Sequence, residues 1–272
     1  MCLILFLYDI HKDYRLILGA NRDEFYERPT APLGFWDDHP NIPANIPANI
    51  PADILAGRDR KGGGTWMGVS RKGRFAALTN YRDPASLRSD APSRGEIVSG
   101  FLLSPLSPEA YLADLHTAGK AYNGFNLIAG DHKELYYYSN REGEIRRLEP
   151  GLYGLSNRFL DTPWPKVQKG KAGLSELLPK THIDPEDIFR LLKDCSVPPD
   201  ALLPDTGMGL EWERILSPVF IRSPSYGTRS SSVLLMDYGG WISFYERTFI
   251  GRSGKETEED RHFTIHSPMP IP

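Results

Sequence analysis

A thiol at position 2, two asparagines that each close a strand-like stretch, and a compact Asn21-Arg22-Asp23-Glu24 run are the groups in this chain best suited to covalent chemistry. Cys2 follows Met1 and heads an unbroken apolar run, Leu3 to Tyr8. Aminopeptidases generally remove a methionine that precedes a small residue, so the expected mature chain begins at Cys2. A terminal cysteine carries a thiol and a free α-amine on one residue. The amine has an unperturbed pKa near ~8, so at neutral pH a useful fraction is unprotonated and able to accept the thiol proton. Nucleophile and base then come from a single residue, a variant of triad logic. The competing reading makes Cys2 a small hydrophobe at the head of a buried strand.

The other candidates each have a chemical reason and a bland counterpart. Asp23 can hold the Cys2 amine in place, and Arg22 can lower the thiol pKa through nearby positive charge; alternatively, the two pin a loop as an ion pair. Asn80 and Asn157 can donate amide hydrogens to a tetrahedral oxyanion, where a lost donor costs roughly 3 kcal/mol of transition-state stabilisation. Both are also suited to turns, because asparagine tolerates left-handed backbone angles. Arg229 opens a late strand, where a charge is unusual, and a strand-end salt bridge is the simpler account. Asn21, Glu24 and Arg82 are expected to support the site through local structure and ion pairs.

The chain must fold so as to gather these groups. Leu3–Tyr8 reads as a strand buried on both faces, and Tyr14–Gly19 returns as its hairpin partner. Residues 20–24 therefore emerge beside Cys2. Residues 40–53 repeat Ile-Pro-Ala-Asn, and proline at every fourth position makes an extended surface loop. Gly62-Gly63-Gly64-Thr65 lacks the G-K-[ST] ending of a phosphate loop, so close backbone approach is the better reason for its glycines. Strands are expected at 66–70, 74–79, 125–130, 134–139, 144–148, 152–156, 219–221, 227–237 and 241–249. Helices are expected at 93–103, 107–121, 165–178 and 184–195, the first opened by a capping box at Ser93 and Glu96 and the last by Asp184-Pro185-Glu186. Strands, a helix pair, strands, a helix pair and strands suit two stacked sheets with helices on each outer face. One domain over 1–254 and a peripheral tail over 255–272 complete the expectation.

Composition bounds the function. Net charge is 32 − 35 = −3, which argues against a general nucleic-acid or anionic-membrane role. Cys2 and Cys195 sit in no C-x-x-C or Cys/His arrangement, so neither a disulfide framework nor a zinc site is expected. His262 and His266 are four apart, but the intervening residues and nearby prolines argue against a metal-binding helix. No metal and no cofactor is implied. No apolar stretch reaches the ~20 residues that span a bilayer, and the start lacks a basic flank and cleavage site, so a cytoplasmic protein is expected. Oligomeric state is not encoded in any pattern here.

Several stretches together resemble one family. They are Met1-Cys2 with its apolar strand, Asn21-Arg22-Asp23-Glu24, Gly63-Gly64-Thr65-Trp66-Met67-Gly68-Val69, Ala77-Leu78-Thr79-Asn80-Tyr81-Arg82, Gly154-Leu155-Ser156-Asn157 with Asp161-Thr162-Pro163-Trp164-Pro165-Lys166, and Thr228-Arg229-Ser230-Ser231. In this order they resemble the NRDE family, typified by transport and Golgi organisation protein 2. That family in turn is similar to the N-terminal nucleophile hydrolases, which implies an α+β fold, a four-layer αββα sandwich of two antiparallel sheets. The nearest likeness is to cysteine amidases of the choloylglycine hydrolase and penicillin V acylase type. These begin Met-Cys and carry an Arg-Asn-x-Asp pattern after the first hairpin. Asn21 and Asp23 match it, whereas Ala20 stands in place of the arginine. Arg22, two residues on, projects to the same strand face and can supply that charge.

The resemblance implies Asn157 as an oxyanion donor and Arg229 as a second active-site arginine. It implies an amide hydrolase that passes through a thioester, acting on a small acyl-amide or lipid-like ligand. A second implication, of a different class, is a binding or trafficking protein for lipid or haem; haem enters through the resemblance only.

Overall fold

The computed structural model describes residues 2–36, 53–251 and 257–267. The repeat over 40–52 lies outside them. The first hairpin joins β1 (Cys2–Tyr8) to β2 (Tyr14–Phe25), which continues well past Gly19. The polar run 21–24 is therefore part of a strand and not a loop after one. A strand can carry these polar side chains because Asn21, Asp23 and Glu24 each meet a partner and Arg22 faces a cleft, as described below.

Around the hairpin stand β3 (Thr30–Phe35), β4 (Ile54–Asp59), β5 (Met67–Ser70), β6 (Phe75–Asn80), β7 (Phe125–Gly130), β8 (Leu135–Ser139), β9 (Ile145–Arg147), β10 (Gly151–Leu155), β11 (Tyr226–Asp237), β12 (Trp241–Ile250) and β13 (Thr257–His266). The helices are α1 (Gly95–Leu103), α2 (Pro108–Ala118), α3 (Pro165–Ser175), α4 (Pro185–Leu192) and α5 (Leu210–Leu216). One sheet runs β10-β1-β2-β11-β12-β13 and the other β3-β4-β5-β6-β7-β8-β9, with antiparallel pairing throughout.

Alternation along β1 explains its unbroken apolar sequence. Ile4 and Phe6 enter the core between the sheets, against Leu55, Val69, Phe75 and Tyr137. Leu3, Leu5 and Leu7 face the opposite way, into a core built with Val167 and Leu174 of α3 and Ile188 and Leu192 of α4. A third core packs α1 and α2 on the outer face of the other sheet, through Phe101, Leu102, Leu112, Ala76, Leu78 and Leu127. Two sheets between two helical layers form the expected four-layer αββα sandwich. No helix among the described residues is long and apolar enough to cross a membrane.

Four local expectations change. Thr257–His266 is not a peripheral tail: it pairs along β12 from Trp241↔His266 to Ile250↔Thr257, with Ile265 buried. Its other side chains are mostly exposed, as an edge strand allows, which hid the pattern. Val219–Ile221 is no strand, since only an isolated bridge, Arg222 with Gly227, follows it. Before it, α5 (Leu210–Leu216) forms where no element was expected. At α1 the cap residue is Arg94 and makes no side-chain capping bond, so the expected capping box is not formed. Ser107 and Asp184 do cap their helices, accepting from the Ala110 and Glu186 N–H groups.

The triple glycine behaves as a close-packed turn. A Cβ on Gly64 would lie 2.3 Å from the Gly95 carbonyl carbon, and Gly63 has φ of +76°. Asp59 organises the turn, accepting from the N–H groups of Lys61 and Gly62.

Candidate active site

The register of the central strands sets the site. Cys2 pairs with Arg22 across β1 and β2, and Ile4 with Ala20. Residues opposite one another share a face, so Cys2 and Arg22 both belong to the side that continues into the inter-sheet core. On the other edge of β2, Arg22 lies opposite Ser230 and Asp23 opposite Thr228. Arg22 thus stands beside the thiol, on the strand face that also carries Ala20.

Asn21 and Asp23 occupy the alternate face. Asn21 is fully buried; its Nδ2 donates to the Leu192 and Val219 carbonyls, 2.8 Å each, and its Oδ1 accepts from Ser231 Oγ at 2.6 Å. Its role is to tie β2 to α4, the 219 segment and β11. Asp23 is equally buried: Oδ1 accepts from Thr228 Oγ1 at 2.7 Å, and its carbonyl accepts from the Tyr226 hydroxyl at 2.9 Å.

Cys2 opens into a cleft of about 430 Å³. One wall carries Arg22, Asp23, Glu24 and Ser230; another carries Asn80, Leu78 and Trp66; Arg58 and Arg94 also line it. Glu246 reaches the cleft from β12 and accepts from the Leu33 N–H at 2.6 Å, linking the two sheets. That bond serves β3 where its register shifts between Ala31 and Gly34.

Burial dominates the electrostatics. It pushes the Cys2 thiol up; the Asp23 charge adds to the rise, while the Arg22 charge and a hydrogen bond from the Asp23 backbone N–H oppose it. Arg22 therefore acts in the expected direction, but desolvation wins and the resting thiol is protonated at neutral pH. Burial likewise raises Asp23, against Lys166 foremost. Lys166, in the first turn of α3, is lowered to about 8 by burial, with Asp23 opposing, and its Nζ donates to the Leu216 carbonyl at 3.0 Å. Glu246 is also raised by burial.

Cys2, Arg22, Asp23, Glu24 and Asn80 come together at the cleft. Asn157 does not line it. Its Nδ2 donates to the Asn80 carbonyl at 2.9 Å, and its Oδ1 accepts from the neighbouring Ser156 hydroxyl at 3.3 Å. Ser156 Oγ also donates to the Cys2 carbonyl at 3.2 Å, so this stretch braces both the Cys2 strand and the Asn80 strand. Arg82 lies behind it: its N–H donates to the Asn157 carbonyl, and its guanidinium pairs with Glu213 at 2.6 Å. Glu24 pairs with Arg28 at 3.6 Å.

Arg229 is turned away from the cleft. It falls at the register shift between Thr228 and Ser230, and its Nη1 donates to the carbonyls of Phe25, Tyr26 and Arg28. The extra residue re-aims the side chain, so Arg229 holds the turn after β2.

Glu246, Arg58 and Lys166 were not singled out from the sequence, yet two of them carried a signal. In β12 the buried phase reads Ile242, Phe244, Glu246, and in β4 it reads Ile54, Ala56, Arg58. A charge in the apolar phase of an alternating strand marks a site or a buried bond. Lys166 offered no comparable pattern.

Two antiparallel sheets between helical layers, with a cysteine heading a central strand at the mouth of a cleft, have the fold of the N-terminal nucleophile hydrolases. Conjugated bile acid hydrolase from Clostridium perfringens, solved as its C2A mutant, superposes with a TM-score of 0.52 at 10% identity, covering 100% of this chain and 99% of its own. The chain belongs to the Transport and Golgi organisation 2 family, whose match spans residues 1–251. The mouse Transport and Golgi organization 2 homolog is 37% identical over 289 residues, 98% of this chain and 100% of its own. The Drosophila melanogaster Transport and Golgi organization protein 2 is 28% identical, covering 92% of this chain and 93% of its own.

Proposed function

We propose that this protein hydrolyses the acyl-amide bond of a small molecule, with Cys2 as the nucleophile. The observation that supports this most is the placement of Cys2: strand pairing fixes its backbone, and the residue opens on a cleft of about 430 Å³. In the proposed cycle Met1 is removed and the freed α-amine takes the thiol proton. The sulfur attacks the carbonyl carbon, and the tetrahedral oxyanion accepts the Asn80 side-chain amide. Collapse breaks the C–N bond, and the departing amine takes the proton from the α-ammonium. Water then attacks the thioester, gives its proton to the α-amine, and releases the acid as the proton returns to sulfur. Asn157 acts here as a positioning residue for Asn80, because its amide is bound to the Asn80 carbonyl.

One observation favours a second reading, a carrier of lipid-like or haem ligands without turnover. Burial raises the Cys2 thiol, which keeps it unreactive at rest. A panel of acyl-amides assayed with wild type beside Cys2→Ala separates the two, with intact mass recorded on the same sample. Turnover abolished in Cys2→Ala, in a chain lacking Met1, supports the hydrolase. Absence of turnover in that processed chain, with ligand affinity unchanged in Cys2→Ala, overturns it in favour of the carrier.

A further inference from the structure

The Arg22 side chain makes no hydrogen bond and no ion pair with any described residue, although the residue is 7% exposed and stands opposite Cys2. Its Nη1 is buried with no acceptor. Arginine keeps its charge in proteins, so a guanidinium this dry needs an acceptor from somewhere. Arg58, further along the same cleft, is 3% exposed and has both Nη1 and Nη2 without a partner; only its Nε is used, donating to the Gly63 carbonyl at 3.0 Å. Stacking on Trp36, 4.5 Å from the ring centroid, supports the Arg58 cation without satisfying those donors.

The carboxylates of the cleft are already committed. Asp59 pairs with Arg28 at 2.5 Å, and Glu24 contacts the same arginine. Asp23 is bonded to Thr228, and Glu246 to the Leu33 N–H. Arg94, also lining the cleft, spends one donor on the Gly124 carbonyl and pairs with no carboxylate among the described residues. Three guanidiniums therefore face the cleft with unmet capacity.

We propose that this cleft binds a small ligand bearing an oxyanion, a carboxylate or a phosphate monoester, seated on Arg22 beside Cys2, with Arg58 and Arg94 supplying further positive charge. A guanidinium fork matches the two oxygens of either group. The subsite requires only that a ligand bind, so it stands or falls separately from turnover by Cys2.

The test is calorimetric binding to the Cys2→Ala protein, which removes the nucleophile. The probes are N-octanoylglycine, octyl phosphate and the uncharged N-octanoylethanolamine. At least one charged probe is expected to bind about tenfold or more tighter than the neutral one, weakening as salt rises. The stronger of the two names the source of the oxyanion. Arg22→Gln is expected to erase the preference and Arg22→Lys to retain part of it. Equal affinity for charged and neutral probes, no binding of either charged probe at millimolar concentration, or a preference that survives in a folded Arg22→Gln protein overturns the subsite. The comparison among probes in the Cys2→Ala protein needs no arginine variant, so a failure of Arg22→Gln to fold does not spare the proposal.

Discussion

Replacing Glu213 by Gln breaks one buried ion pair and tests the support behind the site. Glu213 and Arg82 approach to 2.6 Å with both side chains 4% exposed. At an effective dielectric of about 20, two charges at that distance attract by roughly 6 kcal/mol, and desolvating them offsets several kcal/mol of this. The intact pair is therefore close to neutral for stability. Breaking it from one side is not, because Arg82 remains buried and charged beside Trp164, at a cost of about 3–5 kcal/mol. Gln keeps the oxygen that accepts from the Thr206 N–H but sets an NH2 donor where Oε2 accepted from Arg82, so the charge and that one hydrogen bond are lost together. At about 2–4 °C per kcal/mol, the melting temperature is expected to fall on the order of 10 °C. Urea unfolding gives the free energy, and the double variant Arg82→Met with Glu213→Leu is expected to recover most of it. A loss below about 1 kcal/mol in Glu213→Gln, or a double variant as unstable as the sum of the singles, refutes the argument. Because the Arg82 N–H holds the Asn157 carbonyl, and Asn157 holds Asn80, ligand affinity at the cleft is expected to fall with stability.

Three further outcomes follow from named contacts. Among chains that retain Met1, iodoacetamide at neutral pH is expected to alkylate exposed Cys195 well before buried Cys2, whose thiol burial pushes up; peptide mass spectrometry reads the order, and faster labelling of Cys2 contradicts the burial account. Lys166 sits at about 8 when folded against 10.5 for the free side chain, so between those values the unfolded chain binds more protons and stability rises with pH. The Cys2 thiol, pushed up from 9.0, opposes the trend above pH ~9, and buried tyrosines such as Tyr111 and Tyr137, raised to about 12, reverse it above pH ~10, which leaves a window of about pH 8–9. The rise is expected to vanish in Lys166→Met, and its persistence there assigns it to another group. Gly64→Ala places a Cβ against the Gly95 backbone, which cannot rotate aside as a side chain can, and is expected to cost about 1–3 kcal/mol in thermal unfolding; a variant as stable as wild type shows that the loop shifts freely.

What the sequence made legible divides along physical lines. The uniform apolar run of β1 could only be a strand buried on both faces, and the hairpin after it was marked by polar turn residues. Those two facts placed Asn21–Glu24 beside Cys2. Two edge strands were hidden: β3 contains Pro32 and shifts register, while β13 shows the core little beyond Ile265. An edge strand needs apolar residues on few positions, so alternation has little to report there. α5 is seven residues long, too short for a helical period to stand out from its Pro/Gly-rich surroundings.

The site was legible in its main-chain neighbours and illegible where side chains choose between partners. Spacing alone set Arg229 at a strand opening; one extra residue in the register then turned it onto three carbonyls of the next loop. Asn157 closes a strand as expected, yet hydrogen-bond competition gave its amide to the Asn80 carbonyl and left the cleft wall to Asn80. The Ala20 position shows the opposite case. A strand's period of two preserves the face when a charge moves by two residues, so Arg22 lies on the same side as Ala20. The move also brings the charge closer, from a position opposite Ile4 to one opposite Cys2 itself. An arginine so placed, with a buried Nη1 that has no acceptor, is the residue at which the proposed ligand subsite and the proposed nucleophile adjoin.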